Sequence, residues 1–187
     1  MKQQHDSLHK SGLISLGNPR VLTASALLTA VSLVLAYFAK SIFGTGVIRV
    51  TFESLPIFFG SMVFGPATGV VIAVATDLLS CLLSPVPMSP NPIITVGAAL
   101  LGGISGTLYR YLPTATPLKV RVFLAVAVSH LIGSVGVKSV GLYLYFGWAV
   151  LWRIPVYAAI IAAETLLLQY LLANDALMRQ IGKVTRT

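Results

Sequence analysis

The chain is short of charge, shorter still of acid, and nearly without cysteine. Only 10% of its 187 residues are charged, with five acids against thirteen Lys and Arg. An ordinary soluble domain carries about 25% charged residues. With 56% hydrophobic residues and a mean hydropathy of +0.88, too little polar surface remains to coat a soluble globule. The single Cys81 cannot form an internal disulfide, and no Cys/His spacing suits a metal. There is no Gly-x-x-x-x-Gly-Lys-Ser/Thr loop, so this chain is not expected to hydrolyse ATP by itself. No Ser/His/Asp set or metal-ligand cluster stands out, which argues against an enzyme and against a bound cofactor. No basic stripe with aromatics appears, so nucleic acid is not an expected partner despite the net charge of +8.

What the chain does have is long apolar runs laid nearly end to end. A spanning helix needs roughly 20 mainly apolar residues. Runs with helix-length hydrophobicity occupy 21–43, 49–64, 67–83, 93–112, 122–145 and 149–173. Gly44-Thr45-Gly46, Gly65-Pro66, the Pro-rich stretch 84–92 and the polar stretch 113–121 separate them. The second run is short and interrupted by Pro56. The expected fold is an all-α membrane protein, a bundle of six transmembrane helices. A polar segment, 1–20, would precede the transmembrane domain, 21–173, and a basic tail, 174–187, would follow it. The first run is too long for the core of a cleaved signal peptide, so it reads as a retained helix.

Basic residues orient the bundle. With six spans both termini share one side. Lys2, Lys10, Arg20, Arg110, Lys119, Arg121, Arg179, Lys183 and Arg186 fall there, nine of the thirteen cations. By the positive-inside rule that side is cytoplasmic. The other four, Lys40, Arg49, Lys138 and Arg153, belong at or just inside the outer face.

Charges within a span are costly and usually face a cavity or a partner. At 1.5 Å rise per residue, Lys138 lies roughly 10 Å deep, Asp77 roughly 9 Å and Arg153 roughly 6 Å, with Arg49 at the outer end of the second span. This pattern reads as an outward pocket for an anionic ligand. Arg can grip a carboxylate through two parallel hydrogen bonds and Lys adds a point charge. The plainer reading has Arg49 and Arg153 snorkelling to the headgroups and Lys138 paired with Asp77. Tyr143, Tyr145, Phe146, Trp148 and Trp152 gather at the same face. They form either an interfacial belt or a stacking surface for a flat heterocycle, with Trp152 beside Arg153 the strongest candidate. His130 and Glu164 share a depth near the middle, where a His–Glu hydrogen bond across helices would satisfy both; a proton relay is the alternative. In the first span Ala26 and Ala30 stand four apart, a spacing that lets another helix approach closely.

Together these residues resemble the S components of energy-coupling-factor (ECF) vitamin transporters, of the folate type. The resemblance covers essentially all six spans. It rests on Ala26-x-x-x-Ala30, Arg49-Val50-Thr51-Phe52 with Leu55-Pro56, and Phe64-Gly65-Pro66 with Gly69 and Asp77. Lys138-Ser139-x-Gly141-Leu142 and Trp152-Arg153-Ile154-Pro155 with Glu164 complete it. The resemblance implies a multi-pass subunit of a bacterial plasma membrane that captures a vitamin-like small molecule from outside. It also implies a membrane T component docking on the Ala26/Ala30 face and two partner ATPase subunits. Arg49, Lys138, Trp148, Trp152, Arg153 and Tyr157 would bind the substrate. Folate-type members carry Arg-x-x-Lys-Asn where this chain has Arg153, then Val156 and Tyr157. Folate, with two carboxylates and a flat pterin, still fits the cations and aromatics, and another water-soluble vitamin or precursor is the alternative. A self-sufficient secondary transporter, using Asp77, Glu164 or Glu53 for ion coupling, is the competing reading.

Overall fold

The computed structural model describes residues 17–43, 52–83, 90–113 and 115–185. Every described element is helical. Helix α1 is Pro19–Phe43, α2 Ser54–Phe64, α3 Pro66–Leu82 and α4 Pro92–Tyr111. Next comes one long rod: α5, Leu118–Ser129, passes into a π-helical stretch, His130–Lys138, and then into α6, Ser139–Phe146. A 3-10 stretch, Gly147–Trp152, turns the chain into α7, Arg153–Ala173, and α8, Asp175–Thr185, ends it.

Four of these helical stretches are long and apolar enough to cross a bilayer: Pro19–Ser41, Pro92–Tyr111, Leu118–Leu144 and Gly147–Ala173. Helices α2 and α3 are shorter, at 11 and 17 residues. Large apolar side chains point outward along the long helices, among them Leu27, Val34, Leu131, Leu144 and Leu166. In water such a surface would aggregate; toward lipid it is the expected one.

Local chemistry sets the helix ends. Pro66 and Pro92 open α3 and α4, where a missing N–H costs nothing. The Asn91 side chain caps α4 by accepting from the Ile93 amide at 2.9 Å. Gly65 takes φ 115° and ψ 166° between α2 and α3, a conformation open essentially to glycine alone. The expected break at Pro56 is absent: α2 starts at Ser54, which puts Pro56 in the first turn, where proline is tolerated.

Packing is closest around α4. Ser61 on α2 and Gly69 on α3 lie against Gly102, and a Cβ on Gly102 would collide with the Gly69 backbone. The Ser61 hydroxyl donates to the Gly102 carbonyl, and the Ser105 hydroxyl to Ser61 Oγ at 3.0 Å. On another side of α4, Gly97 meets Gly133 of the π stretch. Small residues let these backbones approach, the usual basis of helix association in lipid. The buried stripe of α1 is also small and polar: Val21, Ser25, Thr29, Ser32, Ala36 and Ala39. Two of its hydroxyls bond back to their own helix, Ser25 to Val21 O and Thr29 to Ser25 O.

One end of the bundle carries the start of α1, the end of α7 and α8; we call it the terminal pole and its opposite the distal pole. Ser32 lies 11 residues, roughly 16 Å, before the end of α1. Its hydroxyl donates to the Glu53 carbonyl at 2.9 Å. Helix α2 therefore begins at mid-depth and fills only the half of the bundle nearer the terminal pole.

Candidate functional site

At that mid-depth level lies a buried polar chain. His130 Nε2 stands 2.7 Å from Glu164 Oε2, and the Ser54 hydroxyl donates to Glu164 Oε1 at 2.6 Å. His130 Nδ1 lies 3.1 Å from Ser134 Oγ. Glu164 is 0% exposed and His130 1%, so every available partner matters. The chain joins the first residue of α2, the first two turns of the π stretch and the middle of α7. An isolated carboxylate at this depth would be costly. The 2.7 Å contact lets Glu164 and His130 satisfy each other away from water. The ring of Phe58 meets His130 edge-on at 5.1 Å, and the Tyr157 ring lies tilted to it at 5.5 Å. The His130–Glu164 contact expected from depth alone is present, while Ser54 and Ser134 were not anticipated.

The π stretch changes where Lys138 points. Residues five apart in an α-helix differ by roughly 140° around the axis. In the π stretch the five-residue hydrogen-bond spacing stacks them instead. Gly133 and Lys138, five apart, both face Gly97: a Cβ there would lie 2.8 Å from Gly133 O and 2.6 Å from Lys138 Cγ. The Ser139 hydroxyl reaching Ser134 O at 3.2 Å shows the same register. Lys138 is half-buried, and among the described residues its ammonium has no ion pair or hydrogen bond. It does not pair with Asp77, whose carboxylate accepts from Thr95 Oγ1 at 2.7 Å.

The remaining residues expected to bind substrate are scattered among described and undescribed positions. Arg49 lies outside the described residues, as do the side chains of Trp152 and Arg153; the Trp152 backbone ends the 3-10 stretch and that of Arg153 starts α7. Trp148 is 74% exposed at the distal pole and packs edge-on against Tyr143 at 5.6 Å. Tyr157 is half-buried beside His130. Ala26 and Ala30 both lie exposed on α1, on the side away from its buried stripe. Lys40, one of the four outer cations, donates from Nζ to Ser80 O at 2.8 Å, in the last turn of α3. There an ammonium satisfies an end carbonyl and opposes the helix dipole.

Among the described residues, two of the apolar crevices on the outer surface are well defined. One of about 300 Å³ lies between α1 and the end of α3, around Tyr37, Phe38 and Leu83. The other, about 520 Å³, runs along α4 between α3 and α5. Neither contains the residues expected to bind substrate. No group of three His, Cys, Asp or Glu among the described residues could hold a metal.

Apolar helices around a core that buries an ionisable pair define a helical membrane protein with a polar interior. The chain matches the family model described as ECF transporter, substrate-specific component, over residues 20–179. It belongs to that family, whose members are transport subunits rather than enzymes. No curated protein and no solved structure matches it.

Proposed function

We propose that this protein is the substrate-capture subunit of an ATP-driven ECF importer, taking a water-soluble vitamin from outside the cell. Its six apolar helices cross a bacterial plasma membrane as six spans, with both termini cytoplasmic. Helices α2 and α3 are shortened spans within that bundle. Exposed Trp148 and Tyr170 support this placement. They sit near the two ends of the stretch Gly147–Ala173, which is long and apolar enough to cross the roughly 30 Å hydrocarbon core of a bilayer.

Lys138 is the observation that carries the reading. A half-buried ammonium within a span, without a partner among the described residues, has a substrate or a relay as its ordinary explanation. It lies in the distal half, with Trp148 and the start of α7 at the pole beyond it. Arg49, Arg153 and Lys138 supply positive charge for an anionic ligand, while Trp148, Trp152 and Tyr157 supply flat apolar surface. Folate is the favoured ligand, because two carboxylates and a planar ring suit that combination. Val156 and Tyr157, which depart from the folate-type pattern, keep another vitamin or precursor as the second reading. The energy comes from a T component seated on the Ala26/Ala30 face and two ATPase subunits.

Purified protein in detergent, titrated with folates and other B vitamins, tests the ligand. Sub-micromolar binding of one of them is expected, and no binding tighter than micromolar across the panel would sink the assignment. Substrate uptake by this chain alone in vesicles would instead establish a self-sufficient transporter.

A further inference from the structure

Helix α8 was expected only as a basic tail. It starts cleanly, with the Asn174 side chain accepting from the amides of Ala176 at 3.1 Å and Leu177 at 3.2 Å. Leu177, Met178, Ile181 and Gly182 turn inward. Met178 and Ile181 pack on the core cluster that holds Val21, Leu168 and Leu172. The apolar face is thus already occupied by the bundle. Ala176, Arg179, Gln180 and Lys183 form the exposed face. Arg179 Nε donates to Asp175 O at 3.1 Å, which leaves its terminal nitrogens outward. The Lys183 ammonium has no partner among the described residues. The two cations are one turn apart and project to the same side.

The level of this face in the membrane follows from its neighbours. Tyr170, 74% exposed, precedes the end of α7 by one turn, and Tyr111, 84% exposed, ends α4. Exposed tyrosines of this kind mark the headgroup interface. Helix α8 begins five residues beyond Tyr170, so it lies in the plane of the lipid phosphates. Exposed Lys119 flanks the same pole, its carbonyl held by Gln169 Nε2 at 3.1 Å. Asp175 is the one acid of the described residues at this pole, at the first turn of α8, where it opposes the helix dipole.

We propose that the Arg179/Lys183 face of α8 binds the phosphate headgroups of anionic lipids and fixes the depth of the terminal pole. A protein partner that recognises an amphipathic helix takes its apolar face, and here that face is buried. What remains is a cationic strip at headgroup level, the arrangement that draws anionic lipid.

The test uses the full chain in detergent, titrated with phosphatidylglycerol or phosphatidylcholine, with bound lipid counted by native mass spectrometry. Phosphatidylglycerol is expected to be retained more tightly. Each removed cation should cost about fivefold of that preference, equivalent to ~1 kcal/mol. Arg179→Ala with Lys183→Ala should then bring the two lipids close to parity, and Arg179→Lys should keep most of the preference. Because both side chains are exposed, the fold should survive; a wild-type titration in rising salt provides a check that needs no variant. Equal retention of the two lipids by wild type overturns the proposal, as does a preference unmoved by the double variant or by salt. Millimolar inorganic phosphate displacing the lipid from wild type would mean a free-anion site and would overturn it too. None of these outcomes depends on which vitamin the protein carries.

Discussion

At the scale of single residues, the decisive groups are the ones whose polarity has no escape to water. Glu164 is buried between Ser54 and His130, so truncating it strands both a hydroxyl and an imidazole. Removing one member of a buried pair typically costs about 3–5 kcal/mol, whereas a neutral hydrogen bond between membrane helices is worth about 0.6 kcal/mol on average. Glu164→Ala should therefore lower stability in detergent by about 3 kcal/mol, and Glu164→Gln, which can still bridge both neighbours, by about 1 kcal/mol. Chemical denaturation of both variants checks this; equal small losses would show that the pair adds little. Lys138 makes the opposite case. Its ammonium has no partner to lose among the described residues, so Lys138→Met should leave stability within about 0.5 kcal/mol yet weaken ligand binding at least tenfold, a loss of ~1.4 kcal/mol. Arg153→Ala is expected to do the same, and unchanged affinity on titration would remove either residue from the site.

At the scale of elements, α4 is the axis against which the others are set. Two adjacent glycines give a controlled comparison of its faces. A methyl on Gly102 would meet the backbone of Gly69, which has no side chain to move aside. A methyl on Gly103 would meet only the tip of Val70 at 3.3 Å. Gly102→Ala should destabilise the bundle by about 3 kcal/mol, the upper range for overpacking, and Gly103→Ala should be near neutral. Thermal unfolding of the two variants side by side separates them. Helix α1 offers a different test, since Ala26 and Ala30 face away from the core. Ala30→Trp should fold and bind ligand normally but fail to copurify with a T component; normal copurification would move the docking face elsewhere.

At the scale of the whole molecule, the expected assembly is a capture subunit that obtains its energy from other chains. Reconstituted vesicles holding this chain alone should show binding without ATP-dependent accumulation, and adding a T component with its ATPases should restore uptake. Much of the architecture was legible in the sequence. The helix limits fall within a few residues of the apolar runs, except at α2, because hydrophobic length and the Gly-Pro and Asn-Pro starts act locally. The His130–Glu164 contact was also legible, because two polar residues at equal depth in lipid have few partners but each other. Other features were not legible. The tail reads as merely basic because its short helix depends on the core that Met178 and Ile181 find. The start of α2 at mid-depth was hidden, because the apolar run continues past the point where Ser32 and Glu164 hold the helix. The direction of Lys138 was hidden as well. Composition and hydropathy alone determined a helical membrane protein with few, costly charges. Only tertiary structure decided where those charges point, because the close meeting of Gly97 with Gly133 and the π register it accompanies arise between helices, not within one.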